Sequence, residues 1–106
     1  MGVRENKVET YLREQIKLHF NGDTRKWVSP GRDGVMDQIC FINPEWYVEV
    51  KTVDGDHETH QKREAMRLIK LGARVAIVYG NEGVDKFIFW LKHYKNTQPQ
   101  VQVIFR

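Results

Sequence analysis

The sequence predicts an α/β fold, a mixed central β-sheet flanked by helices, and three observations predict it. Residues 36–42 and 46–50 are apolar-rich runs on either side of Asn43-Pro44-Glu45, whose Asn-Pro pair is a turn signal, so they read as a β-hairpin. Residues 46–50, 59–71 and 74–79 then read as strand, helix and strand, and such a unit closes through a right-handed parallel crossover. A sheet that begins as an antiparallel hairpin and continues with a parallel strand is mixed. At 106 residues the chain has the length of one domain, 1–106, with a single core of modest stability. Function is therefore expected on that core.

The first helix is predicted over residues 4–20, where Val8, Tyr11 or Leu12, Gln15 or Ile16 and His19 or Phe20 recur at helical spacing before the stop signal Asn21-Gly22-Asp23. Its apolar stripe should pack on the sheet. Residues 24–29 read as a short strand whose apolar content is Trp27 and Val28, and residues 29–34 as a loop of turn residues. Trp27 is expected in the core rather than as a platform for a base. A polar connection, 52–60, leads to the second helix, which carries Ala65, Met66, Leu68, Ile69 and Leu71 and stops at Gly72. Residues 74–79 form a continuous apolar run, the pattern of a strand buried on both faces. Gly80-Asn81-Glu82-Gly83 reads as a loop, and Val84, Phe87, Ile88, Trp90, Leu91 and Tyr94 as a third helix ending near Lys95. After a break at 96–99, residues 100–105 alternate as an edge strand.

Composition excludes several classes. No run approaches the roughly 18 to 20 apolar residues that span a bilayer, and the first residues lack the apolar stretch of a signal peptide, so an intracellular, cytoplasmic protein without membrane attachment is expected. Cys40 is the sole cysteine, which rules out an internal disulfide or a thiolate zinc cluster and suggests a small buried hydrophobe. Asp56, His57, Glu58 and His60 cluster, yet their spacing matches neither a His-Glu-x-x-His helix nor a zinc finger. The net charge of +3 permits a polyanionic partner without requiring one. Its distribution says more, because Lys62, Arg63, Arg67, Lys70 and Arg74 load the second helix and its exit.

The chemistry-bearing stretch is the hairpin. Glu49 and Lys51 are two apart on an extended strand and leave the same face with Tyr47, while Val48 and Val50 point to the other. Asp37, near the start of the partner strand, can lie opposite Glu49 if the hairpin pairs around the Asn-Pro turn. Two carboxylates that close repel unless a cation sits between them, and an oxygen-rich site of this kind suits Mg²⁺ or Mn²⁺. Gly34, lacking a Cβ, would let backbone approach metal or phosphate beside Asp37, and Arg32 in the same loop is placed to touch a phosphate. The Val50 carbonyl is a further oxygen donor beside Glu49. Gln61 falls in the first turn of the second helix, close to Glu49 and Lys51 if that helix folds straight back, with Lys62 next to it as a DNA contact.

In order along the chain, Gly34-x-x-Asp37, Glu49-Val50-Lys51 and Gln61 resemble the PD-(D/E)xK nuclease core, and in particular the virus-type replication-repair nuclease (VRR-NUC) family in its compact form. The resemblance implies a restriction-endonuclease-like core and a metal-dependent endonuclease acting on DNA. It implies that a first-helix Glu completes the metal site: Glu5 fits the spacing best, Glu9 nearly as well. Gln61 would orient water or phosphate, and Lys51 the attacking water or the developing charge. Compact members are similar to junction resolvases, so branched DNA, such as a Holliday junction, and a homodimer are expected. The alternative is a non-catalytic nucleic-acid-binding module that uses the basic faces alone.

Overall fold

The computed structural model describes residues 3–27, 38–54, 59–94 and 103–106, with the side chains of 7–27, 38–54, 63–94 and 103–106. Helix α1, Val3–Phe20, carries Val8, Leu12 and Ile16 on one buried stripe. Asn21, at φ 53°, ends it and turns the chain into β1, Asp23–Lys26. Trp27 stands outside its ladder, and the last two residues of the expected strand 24–29 lie outside the described ones. The hairpin forms as expected: β2, Gln38–Phe41, runs antiparallel to β3, Trp46–Lys51, with Ile39 opposite Tyr47 and Cys40 opposite Trp46. The Asn43–Pro44 bond in its turn is cis.

From β3 the chain crosses through α2, Thr59–Lys70, to β4, Val75–Tyr79, which pairs parallel with β3. Gly72 closes α2. At φ 96° it lets its own amide reach the Ile69 carbonyl and the Ala73 amide reach that of Leu68, the paired hydrogen bonds of a glycine-terminated helix end. Helix α3, Gly80–Tyr94, follows, and β5, Val103–Phe105, adds parallel to β4, giving the order β1-β2-β3-β4-β5.

The start of α3 corrects the sequence expectation. Residues 80–83, read as a loop for their two glycines, are its first turn. Gly80, at φ 67°, turns directly from strand to helix. Gly83 faces the backbone of β5: a Cβ there would stand 2.5 Å from the Phe105 carbonyl oxygen. These glycines serve a sharp turn and a close helix-to-strand approach, requirements that local propensity does not distinguish from a loop.

The two faces of the sheet are covered differently. On one, Cys40, Trp46, Val48, Val50, Ala76, Val78 and Phe105 meet α1 and α3 in the main core. On the other, Val75 and the half-buried Tyr47 meet Ala65 and Ile69 of α2. Trp27 joins this second cluster, its ring 5.3 Å from that of Tyr47, so the tryptophan is partly core, as expected. Trp46 and Phe87 are fully buried, whereas Phe89 and Tyr94 remain exposed on α3.

Candidate active site on strand β3

Alternation along β3 separates chemistry from core. Val48 and Val50 join the cluster beneath α1 and α3, and Tyr47 joins the one beneath α2. Glu49 and Lys51 therefore share the α2 face with Tyr47. The Glu49 side chain is completely buried, and its Oε2 stands 3.4 Å from Lys51 Nζ, whose side chain retains 16% of its exposure. A carboxylate taken out of water at this depth needs compensating charge or hydrogen bonds. Lys51 supplies the first while keeping a route to solvent.

The β2–β3 register runs out at Gln38 opposite Val48. Asp37, the next residue of the chain, lies outside the described residues, as do Arg32 and Gly34. The backbones of Glu5, Gln61 and Lys62 are helical, in α1 and α2, but their side chains are outside the description. Asp56, His57 and Glu58 also fall outside it. Of the expected site, the structure thus brings together Glu49 and Lys51, with Val50 between them.

Glu9, the other first-helix candidate, is on the opposite side of the sheet. Its Oε1 accepts a hydrogen bond of 2.9 Å from Gln38 Nε2 and lies 3.8 Å from Lys26 Nζ. Gln38 shares the face of its register partner Val48, the face under α1, so Glu9 ties α1 to β2 where Glu49 points away. The Gln38 side chain is 2% exposed, and its Oε1 has no hydrogen-bond partner among the described residues. Burial pushes the Cys40 thiol well above its usual range, which leaves it inert.

Two further side chains have surroundings that the sequence does not signal. Glu64 of α2 is buried, 3.2 Å from the Arg67 guanidinium. Tyr79 is the register partner of Lys51 on β4, and the Arg106 guanidinium lies 4.2 Å above its ring. Tyr79 and Arg106 come together from segments distant in the chain.

Carboxylate oxygen is the donor type that Mg²⁺ and Mn²⁺ take, and Glu49 fits it in kind. Among the described residues no three His, Cys, Asp or Glu side chains converge as a ligand set. Among them, too, no helix is long and apolar enough to cross a membrane.

No family model matches the chain. Among solved structures it is similar to a chain described as a VRR_NUC domain, with a TM-score of 0.73 and 32% identity, the alignment covering 88% of this chain and 99% of that one. In sequence it is 32% identical over 78 residues to "Putative nuclease p44" of Acyrthosiphon pisum secondary endosymbiont phage 1, which spans 72% of this chain and 83% of that protein. The chain belongs to the VRR-NUC family. Its mixed five-stranded sheet flanked by helices is accordingly a PD-(D/E)xK-like α/β fold. Within this VRR-NUC fold, Glu49-Val50-Lys51 occupies the strand where antiparallel pairing changes to parallel.

Proposed function

We propose that this VRR-NUC chain is a metal-dependent endodeoxyribonuclease that hydrolyses phosphodiester bonds in branched DNA, such as a Holliday junction, as an intracellular homodimer. The observation that carries the chemistry is the Glu49–Lys51 pair: a fully buried carboxylate and an ammonium 3.4 Å apart on one sheet face, with the lysine side chain still partly exposed.

Glu49, Asp37, the Val50 carbonyl and Glu5 would hold the divalent cation, Mg²⁺ or Mn²⁺. Bound there, it would polarise the scissile phosphate and lower the pKa of the attacking water. Asp37 precedes Gln38 in the chain, and Glu49 follows Val48, the register partner of Gln38. Glu5 is preferred to Glu9 because the Glu9 carboxylate is engaged with Gln38 and Lys26. Lys51, fixed by Glu49, donates to the phosphate oxygen on which charge develops or orients the water, as a preorganised cation does. Gln61 positions water or phosphate from the first turn of α2, and Arg32, Gly34 and Lys62 contact the DNA backbone.

The surface of α2 supports a polyanionic substrate. Its exposed ionisable side chains among the described residues are Arg63, Arg67 and Lys70, all cationic, whereas α1 exposes Glu14 and α3 exposes Glu82 and Asp85. These three span about 10 Å of helix and fall on one stripe.

Purified protein incubated with four-way-junction, duplex and single-stranded DNA tests the proposal. Cleavage is expected with Mg²⁺ or Mn²⁺, strongest on the junction, and lost in EDTA and in Glu49→Gln. Undiminished cutting in EDTA would overturn the metal mechanism.

A further inference from the structure

The parallel half of the sheet sets three residues in one row. Lys51 ends β3, its register partner Tyr79 ends β4, and Arg106 follows directly on β5, whose Phe105 pairs with Val78. Register partners on parallel strands share a face, so Lys51 and Tyr79 both lie on the face that carries Glu49. Arg106 is on that side too, since its guanidinium lies 4.2 Å above the Tyr79 ring. Tyr79 is 3% exposed, so the ring is a fixed base. Arg106 itself is exposed, and its carbonyl accepts a hydrogen bond from Lys86 Nζ, which ties the backbone to α3.

A solvated arginine at a sheet edge has little reason to hold one position. This one is laid across a buried aromatic face, which restricts the side chain while the residue stays exposed. Two strand spacings separate its backbone from that of Lys51, roughly 10 Å. A planar fork of donors at that range suits a phosphate of the strand that passes Lys51, and not the reacting phosphate itself.

We infer that Arg106 binds a backbone phosphate adjacent to the scissile one, with Tyr79 as the platform that aims it. This rests on the nuclease reading of Glu49 and Lys51 and extends it to how the substrate strand is held. Arg106 is then a binding residue: it acts on KM and on salt dependence, and leaves the chemical step alone.

The test compares Arg106→Gln, Arg106→Lys and Tyr79→Leu with Lys92→Gln, an equal loss of charge on the exposed part of α3. Affinity for a labelled four-way junction is measured in EDTA over a series of KCl concentrations, and cleavage kinetics with Mn²⁺. Arg106→Gln is expected to raise KM about tenfold with kcat within about twofold, and to lower the slope of log affinity against log salt by about one, the loss of a single phosphate contact. Arg106→Lys should keep the slope. Tyr79→Leu, if thermal unfolding shows it folded, should raise KM in the same direction by a smaller factor. The inference is overturned if Arg106→Gln matches Lys92→Gln in KM and slope, or if its effect falls on kcat alone. A wild-type protein that neither binds nor cuts DNA would instead defeat the nuclease reading, and this inference with it. Normal wild-type cutting beside an inert Arg106 would defeat only the inference.

Discussion

At the scale of single residues, burial decides which acids can do what. Glu49 and Glu9 are both buried carboxylates on or against the same sheet, yet one meets Lys51 and the other Gln38 and Lys26, on opposite faces. Lys51→Ala should lower the cleavage rate by about 10² to 10³ while junction affinity changes by less than about threefold, since a group that acts on developing charge weighs on the transition state. Rate and affinity falling together would make Lys51 a phosphate anchor. Glu9→Ala should cost about 1 to 3 kcal/mol in denaturant unfolding, because the Gln38 amide then loses its acceptor in the interior. Glu5→Gln should instead weaken Mn²⁺ binding in calorimetry, because it removes a ligand charge at similar volume. The reverse pattern would exchange their roles.

At the scale of elements, the helix-to-strand contacts hold the site's strand in place. The face of β3 opposite Glu49 is packed by α1 and α3, and α3 comes so close to β5 that Gly83 has no room for a Cβ. Gly83→Ala should therefore destabilise by about 1 to 3 kcal/mol, the usual cost of overpacking, despite the better helix propensity of alanine. A stabilised Gly83→Ala protein, by denaturant midpoint, would show that α3 can shift away from β5 without loss. The same contact explains why residues 80–83 defeat a propensity reading: what selects glycine there is Phe105, 22 positions later in the chain. The hairpin and α2 were legible because their signals are local, an Asn-Pro turn between apolar runs and an apolar period closed by Gly72.

At the scale of the whole molecule, the proposed junction cleavage calls for two sites related by symmetry, because one chain carries one Glu49–Lys51 pair and a resolved junction needs two cuts. Light scattering at working concentration should give twice the chain mass of 12.6 kDa. A mass of one chain, with single nicks on four-way junctions, would remove the dimeric resolvase reading and leave the nuclease one standing. Phe89 and Tyr94, exposed on α3, are the aromatics among the described residues that the core does not consume there.

The sequence by itself determined the α/β class, the mixed sheet, the hairpin and the placement of Glu49 and Lys51 on one face, because strand alternation and helical period are written locally. It also carried the ordered motif that resembles VRR-NUC, the family to which the chain belongs. Only the tertiary structure decided that Glu9 belongs to the α1 face, that Gln38 and Glu64 are buried, that α3 begins at Gly80, and that Arg106 lies over Tyr79 beside Lys51. Each of these depends on which strands become neighbours and which face a helix covers. Those choices are made by packing between segments far apart in the chain, where a residue's own identity and its nearest neighbours carry no record of the partner.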